Sequence, residues 1–579
     1  MKIKSKDVPS KISYDFPTIV VIACAIACTL VVSPFWNFDP INAPKLSVLI
    51  TGAGILLPFI FNSLKLMYKL IGNYFLSLII TMFVGLNLAL FFSPSSLESQ
   101  LWGTWGRSTG YLAYLSFLII MICSFALGLR NKSSLVFLQF IRLSYVITFY
   151  TIVQYGDLDP IPWSQSFPMA TLGNINFMSA FLGLTNILLL VKICFERLQI
   201  TAKIHYSVVF TVNTVLILAS GSIQGLAIVA TGLTAIGFHF LRSIRDSIVL
   251  FYLFAVAGFG TLLLGATAGY GPIGKILIQE TVTYRIDYWT AGLNIFSNFP
   301  FFGAGLDAYG DYYREFRTQI AATRTGPQRV TNTAHNVFID LLSGGGIIPG
   351  LSFLLLISLT IVMLLKKMRS ENFTIQTVAL TSLLLGWVAF LMISINQIGV
   401  TVWGFVFLGL GLSELVKADR PRFDTNMNHL GNLQVFNLSK RKTQLLTLLS
   451  GLTGLWIGMV PTVTDASYLD ALKGKDLVRL EETALKKTAA SYYSEHLISV
   501  LLQEGNSEKA LDIAKRAVQV NDRNFQAWAT IAFSTSARAD SLKARAIEEL
   551  EVMDPWNEGL QKELRLLREG FQKTSVKNN

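Results

Sequence analysis

The dominant pattern along the chain is a series of apolar runs, most of them close to the length an α-helix needs to cross hydrocarbon, separated by short polar segments. They predict about thirteen membrane spans, at approximately 17–36, 46–64, 73–92, 110–129, 134–155, 174–195, 206–220, 224–241, 248–268, 337–365, 374–394, 400–418 and 444–463. The seventh and eighth are short, and only the Gly221-Ser222-Ile223-Gln224 stretch parts them.

Two stretches depart from this rhythm. Segment 269–336 is far longer than an ordinary connection, and loops beyond about 15 residues are uncommon unless functional. From about residue 491 the apolar runs give way to a helix-turn-helix pattern. Gly505, Ala510 and Ala517 stand at the offsets of a tetratricopeptide repeat, Ala544 follows Ala510 by the period of that class, and Trp528 lies near the start of the second unit. Asp554-Pro555 would close it. Two repeats are fewer than such arrays usually need, so residues 465–490 are expected to add a degenerate pair or to lean on the membrane domain. An ordinary helical hairpin is the alternative. The expected organisation is a 1–16 cytoplasmic N-terminal tail, a 17–463 membrane domain with 269–336 as a large outer loop and 419–443 as a cytoplasmic linker, and a 464–579 extracytoplasmic helical tail.

Charge gives the predicted spans a direction. With the N-terminus cytoplasmic, the inside segments collect the N-terminal lysines, Lys65 and Lys69, Arg130 and Lys132, Lys192, Arg197 and Lys203, Arg242 and Arg245, Lys366, Lys367 and Arg369, and the basic linker from Lys417 to Lys442. The short loops opposite hold Lys45 and Arg107. Such a bias is the positive-inside rule, and dropping one helix would scramble it.

Composition agrees: 52% of residues are hydrophobic and 15% charged. The net charge of +12 does not imply nucleic acid, because the basic residues are scattered in small clusters between apolar runs. Cys24, Cys28, Cys123 and Cys194 fall inside predicted spans without metal-site spacing or a disulfide framework, and read as buried structural thiols. Lys2, Lys4, Lys6 and Lys11 before the first apolar run resemble a signal sequence, with Ala23-Cys24-Ala25 as a cleavage-like stretch. The run continues to Trp36, so an uncleaved first helix is expected.

The outer loop concentrates chemistry that the spans lack. It carries Lys275, Arg285, Arg314, Arg317, Arg324 and Arg329 against Glu280, Asp287, Asp307, Asp311 and Glu315. Arg314 and Arg317, three apart in a helical stretch, share a face. Arginine suits planar, bidentate phosphate recognition, so these residues could grip a lipid-linked phosphate; a solvated loop with surface ion pairs is the plain alternative. Of the histidines His205, His239, His335, His429 and His496, only His335 falls at the outer mouth of the membrane domain. An imidazole there can transfer protons near neutral pH, although a lone histidine at a helix start also serves as a cap or packing residue.

These residues carry a resemblance. Arg285-Ile-Asp-Tyr-Trp289, Asn298-Phe-Pro300-Phe-Phe-Gly303-Ala-Gly305, Ala334-His335-Asn336 and Gly345-Gly346-Ile-Ile-Pro-Gly350 together resemble the signature of the O-antigen ligase and O-antigen polymerase superfamily. Trp105-Gly106-Arg107-Ser108-Thr109-Gly110 is similar to its outer-loop Arg-x-x-Gly stretch. Where many members have a Ser-Arg pair between two spans, this chain has Ser222-Ile223-Gln224, which removes one candidate phosphate contact. The resemblance implies an all-α polytopic bundle of GT-C-like glycosyltransferase type in a bacterial cytoplasmic (inner) membrane, within cell-envelope polysaccharide or lipopolysaccharide biosynthesis. Its donor would be a polyprenyl-diphosphate-linked glycan and its acceptor a glycan, lipid or protein, with no nucleotide sugar.

On that implication Arg285 binds the departing diphosphate, with Arg314, Arg317 and Arg107 as further contacts, because fixed cations stabilise charge that develops on a leaving group. His335 acts as base on the acceptor hydroxyl or orients it, supported by Asn336. Asp287 is a rival base, or holds Arg285 in place. No cofactor is expected, and no metal, since the chain has no His-Glu-x-x-His, Asp-x-Asp cluster or cysteine cage. Gly303-x-Gly305 lacks the preceding strand of a dinucleotide fingerprint and reads as a tight turn. The tail is expected to bring in a protein acceptor, an export partner or a second copy; it tilts the reading toward a ligase, including a protein-glycosylating one, over a repeat-unit polymerase. A transporter would instead need buried charges or broken helices at mid-membrane, where the sequence offers only Arg142. A membrane-anchored scaffold would leave the loop unexplained.

Overall fold

A computed structural model describes residues 15–163, 167–241, 246–267, 280–370, 373–417 and 440–577. The N-terminal lysines, Lys275, His429 and most of the 419–443 linker lie outside them. Among the described residues every regular element is helical. Eleven helices among the described residues are long and apolar enough to cross a membrane, which fits a polytopic helix bundle. Phe16–Leu30, with 15 residues, and Asp246–Thr267, with 22, are not among those eleven but coincide with two of the predicted spans.

At the centre Tyr111–Leu129 and Ile398–Lys417 run side by side, with Phe117 stacked on Phe405 at 5.0 Å. Asn42–Leu56 packs against Lys440–Gly474 through small residues. A Cβ on Gly54 would lie 2.6 Å from the Ser450 carbonyl oxygen, and one on Gly454 would lie 2.8 Å from that of Ile50. Backbones this close gain dispersion contacts without needing water to drive association. Asp15 pairs with Arg130, and Lys367 with Glu414, while the 93–110 segment meets the 299–346 segment through Ser95 with Ala304 and Arg107 with Asp307 and Asp340.

Several expectations need correction. The predicted span 337–365 is two helices, Val337–Gly345 and Ile347–Met368, broken at Gly346 with φ +81°. The last span does not stop near 463 but continues as one helix, Lys440–Gly474, into the tail. Cys194 is exposed, because it faces outward in the last turn of Ile175–Phe195. Lys45 is no loop charge: it is buried in Asn42–Leu56 and its Nζ donates to the carbonyls of Cys28 (2.9 Å) and Thr29 (2.7 Å). Those acceptors end Phe16–Leu30, where the helix dipole favours a cation.

Beyond Gly474 the tail consists of Leu477–Ala484, Ser491–Gln503, Ser507–Val520, Phe525–Ala532, Asp540–Met553 and Glu558–Lys577. Gly505 turns the chain at φ +76°, and Ala510, Ala514 and Ala517 are buried where Ser507–Val520 meets its neighbours. Trp528 is also buried. Ala544, however, is exposed, and Ala546 and Ile547 face the core instead. The short helix Phe525–Ala532 and the 3-10 turn Ala537–Ala539 shift the phase of the second unit. The tail's root is fastened to the bundle by Asp465, which accepts from the Asp39 backbone N–H (2.8 Å), Trp105 Nε1 (3.0 Å) and Tyr493 hydroxyl (2.7 Å).

Candidate active site

The site is built on two glycine-rich segments that recognise each other. The turn after Glu280–Asn298 lies on the break between Val337–Gly345 and Ile347–Met368: Ala304 N–H donates to the Ser343 carbonyl (2.8 Å), Gly305 N–H to that of Gly344 (3.0 Å), and Ile347 N–H to that of Pro300 (2.9 Å). Gly303 has φ +69°, and a Cβ there would lie 2.2 Å from the Gly344 carbonyl oxygen. Only glycine supplies both the conformation and the close approach.

The 95–110 segment closes over this turn. Ser95 Oγ donates to the Ala304 carbonyl (2.6 Å), and the Asp307 carboxylate accepts from the Thr104 (2.9 Å) and Thr109 (3.2 Å) backbone N–H groups. Arg107 is buried at the junction, 3.0 Å from the Asp307 carboxylate and 3.6 Å from that of Asp340, and also donates to the Asn332 carbonyl. Its charge is therefore largely answered within the protein. Asp340 in turn accepts from the Thr333 hydroxyl (2.6 Å) and the Ala334 backbone N–H (2.7 Å), and the Thr333 hydroxyl accepts from the His335 backbone N–H (3.0 Å). Asn336 caps the following helix by accepting from Phe338 (3.1 Å) and Ile339 (3.2 Å) N–H groups. This chain of bonds holds His335 at φ +52°, a left-handed conformation that a non-glycine residue keeps only when its surroundings insist on it.

Glu280–Asn298 brings Arg285 to the same place. Tyr288, one turn further along, lies over the His335 ring with centroids 5.6 Å apart. Burial, and then the positive charges of Arg285 and Arg107, push the His335 imidazole down to about 3. The two arginines thus act directly on the histidine, which is neutral around pH 7. Among the described residues the half-buried Arg285 side chain has no ion pair or hydrogen bond, and the His335 ring nitrogens have no hydrogen-bond partner. A desolvated guanidinium without a carboxylate is costly unless something else answers its charge.

Asp287 does not hold Arg285. It pairs with Arg324 at 2.7 Å, and burial raises its carboxyl above the usual range although Arg324 opposes this. Arg314 and Arg317 share a face as expected, but that face turns toward the tail: Arg317 pairs with Asp554 at 2.5 Å and Arg314 with the same carboxylate at 3.0 Å. Their partner lies 237 positions from Arg317, beyond the reach of local pattern. Arg329, noted in the sequence only as one of the loop's cations, is exposed over the Tyr284 ring at 5.6 Å and has no ion pair among the described residues. Ser222 bonds Asn176 (2.7 Å) and Gln224 bonds the Ile393 carbonyl (3.2 Å), so this turn is held by neutral groups.

Thr333 and Asp340 were missed from sequence, and Asp307 was noted there only as one of the loop's acids. Asp340 did leave a signal, as the lone acid in the predicted span 337–365. Among the described residues no group of three or more His, Cys, Asp or Glu is placed to hold a metal ion. No curated protein matches the chain. Residues 207–355, which contain Arg285 and His335 but neither Arg107 nor the tail, match the family model described as O-antigen ligase, and this supports membership of that superfamily and a glycosyl-transferring membrane enzyme.

Proposed function

We propose that the protein transfers a glycan from a polyprenyl-diphosphate carrier to an acceptor hydroxyl at the outer face of a bacterial cytoplasmic membrane. The acceptor oxygen bonds to the anomeric carbon of the donor glycan. The bond from that carbon to the carrier's phosphate oxygen breaks, its electron pair leaves on the diphosphate, and the hydroxyl proton passes to His335. Arg285 receives the departing diphosphate, with Arg329 as the next cation. Arg107 acts on this site mainly by positioning, and Arg314 and Arg317 by docking the tail.

The observation that carries this reading is a half-buried Arg285 that has no ion pair among the described residues and acts on a neutral His335 whose ring has no hydrogen-bond partner among them. Burial, and then the guanidiniums of Arg285 and Arg107, keep the imidazole a weak base. A diphosphate laid against Arg285 offsets one of these charges and raises the basicity of the ring when the donor is in place. The same chemistry serves a ligase and a repeat-unit polymerase; only the acceptor differs.

The test is complementation of a deletion strain with Arg285→Ala and His335→Ala. Lipid-linked glycan should accumulate in the deletion strain and with either variant, while both proteins reach the membrane at normal levels. Transfer restored by both variants removes them from the reaction.

A further inference from the structure

A cavity of about 700 Å³ lies between the outer loop and the helical tail, within the range of about 300–1,000 Å³ typical of small-ligand sites. One wall is Val330–Asn332, which runs directly into Thr333 and His335. The opposite wall belongs to the tail, through Glu495, Arg523 and Gln526. The tail therefore builds one wall of a chamber whose loop wall leads to the candidate base.

The chemistry of the wall narrows the occupant. Its two guanidiniums are engaged elsewhere, Arg314 with Asp554 at 3.0 Å and Arg523 with Glu315 at 2.6 Å. The carboxylates of Glu98 and Glu495 have no hydrogen bond or ion pair among the described residues, so the wall has spare acceptors. Arg523 Nε is a buried donor without a partner among the described residues, so the wall has a spare donor as well. A diphosphate only accepts hydrogen bonds and would meet the Glu98 carboxylate as like charge, while burial, and then Asp311, push the Glu495 carboxyl up to about 7, where it can donate as well as accept. An ammonium or guanidinium only donates. A hydroxyl does both.

We infer that this cavity binds the acceptor as an uncharged, hydroxyl-rich glycan end, and that the tail is part of the acceptor site. The inference rests on the transferase reading above, with the hydroxyl end reaching His335 along the 330–334 segment.

The test uses the full-length protein in its own membranes, with two readouts: donor that co-purifies, measured by mass spectrometry of polyprenyl-diphosphate glycan, and transfer measured as product. Filling the cavity with Gln526→Trp or Ala489→Trp should cut transfer about tenfold or more, as steric exclusion from a pocket does. Co-purified donor should stay within about twofold of the parent. A benzophenone residue in place of Gln526 should, on irradiation, capture carbohydrate. Normal transfer by both filled variants, loss of donor along with transfer in both, or capture of a carbohydrate-free peptide overturns the inference. Arg285→Ala reports separately on the underlying reading: donor retained at the parent level in that variant, or none bound by the parent, defeats the transferase assignment whatever the cavity does.

Discussion

Arg317 and Asp554 form an ion pair of 2.5 Å in which both side chains are completely buried, although 237 positions separate them. The same carboxylate takes Arg314, whose guanidinium lies 4.3 Å from the centroid of the Phe525 ring. One aspartate thus answers two arginines and ties the tail to the outer loop.

Asp554→Ala should undock the tail. It leaves two desolvated guanidiniums without a counter-charge, and breaking a buried pair from one side costs about 3–5 kcal/mol. Limited proteolysis should cut the variant between 475 and 490 much faster than the parent. Equal protection would show that the remaining links, Asp465 and the Arg523–Glu315 pair, are enough to hold the tail.

Thr333→Val should slow the reaction without weakening donor binding. The Thr333 hydroxyl links Asp340 to the His335 backbone through bonds of 2.6 and 3.0 Å, and misplacing a catalytic group by about 1 Å can cost about a hundredfold in rate. The expected result is a lower kcat with unchanged donor co-purification; a raised donor KM alone would argue for a binding role instead.

Gly303→Ala places a methyl group 2.2 Å from the Gly344 carbonyl oxygen at φ +69°, so the turn must separate from the helix break. Backbone strain of this kind is worth about 1–3 kcal/mol. Both thermal stability and transfer should fall, and a variant with the parent's melting temperature would mean that the turn does not need this approach.

The pH profile tests the base. The His335 pKa lies at about 3, below the ordinary histidine value, so the folded site favours the neutral ring. Its contribution to stability is present above the unfolded-state value near 6.5 and is lost as pH falls toward 3. The acid limb of kcat/KM for the donor, which reports the free enzyme, should lie well below that unfolded value, and the limb of kcat should move upward because bound diphosphate offsets Arg285. Labelled His335 should show the same upward movement by NMR when the carrier diphosphate is added. A limb near 6.5 in both profiles would mean that the imidazole is neither buried nor beside the arginines.

The helices were legible because each is a local fact: an apolar run of the right length is helical wherever it is placed. Thus the predicted 73–92 and 134–155 correspond to Asn73–Phe92 and Ser133–Tyr155. The break at Gly346 had a local signal in the Ser343-Gly-Gly-Gly346 run and Pro349, which a span drawn on hydropathy over 337–365 passed across, and the contact with the 300–305 turn fixes where it falls. Ala544 misled because a repeat period gives spacing but not phase, and the 3-10 turn at Ala537–Ala539 changes the phase.

Within the candidate site the sequence alone was enough to choose the residue types and their neighbourhood, since Arg285 and the His335-Asn336 pair stand out against an apolar chain. It could not say which charges would be spent inside the protein. All the arginines look alike in a sequence, but folding gives Arg107 two carboxylates, commits Arg314 and Arg317 to Asp554, and leaves Arg285 with none among the described residues. Hydrophobicity and helix length act over neighbouring residues and are written locally. Ion pairing depends on which distant groups the packed helices bring within a few ångströms, and that is decided only in three dimensions.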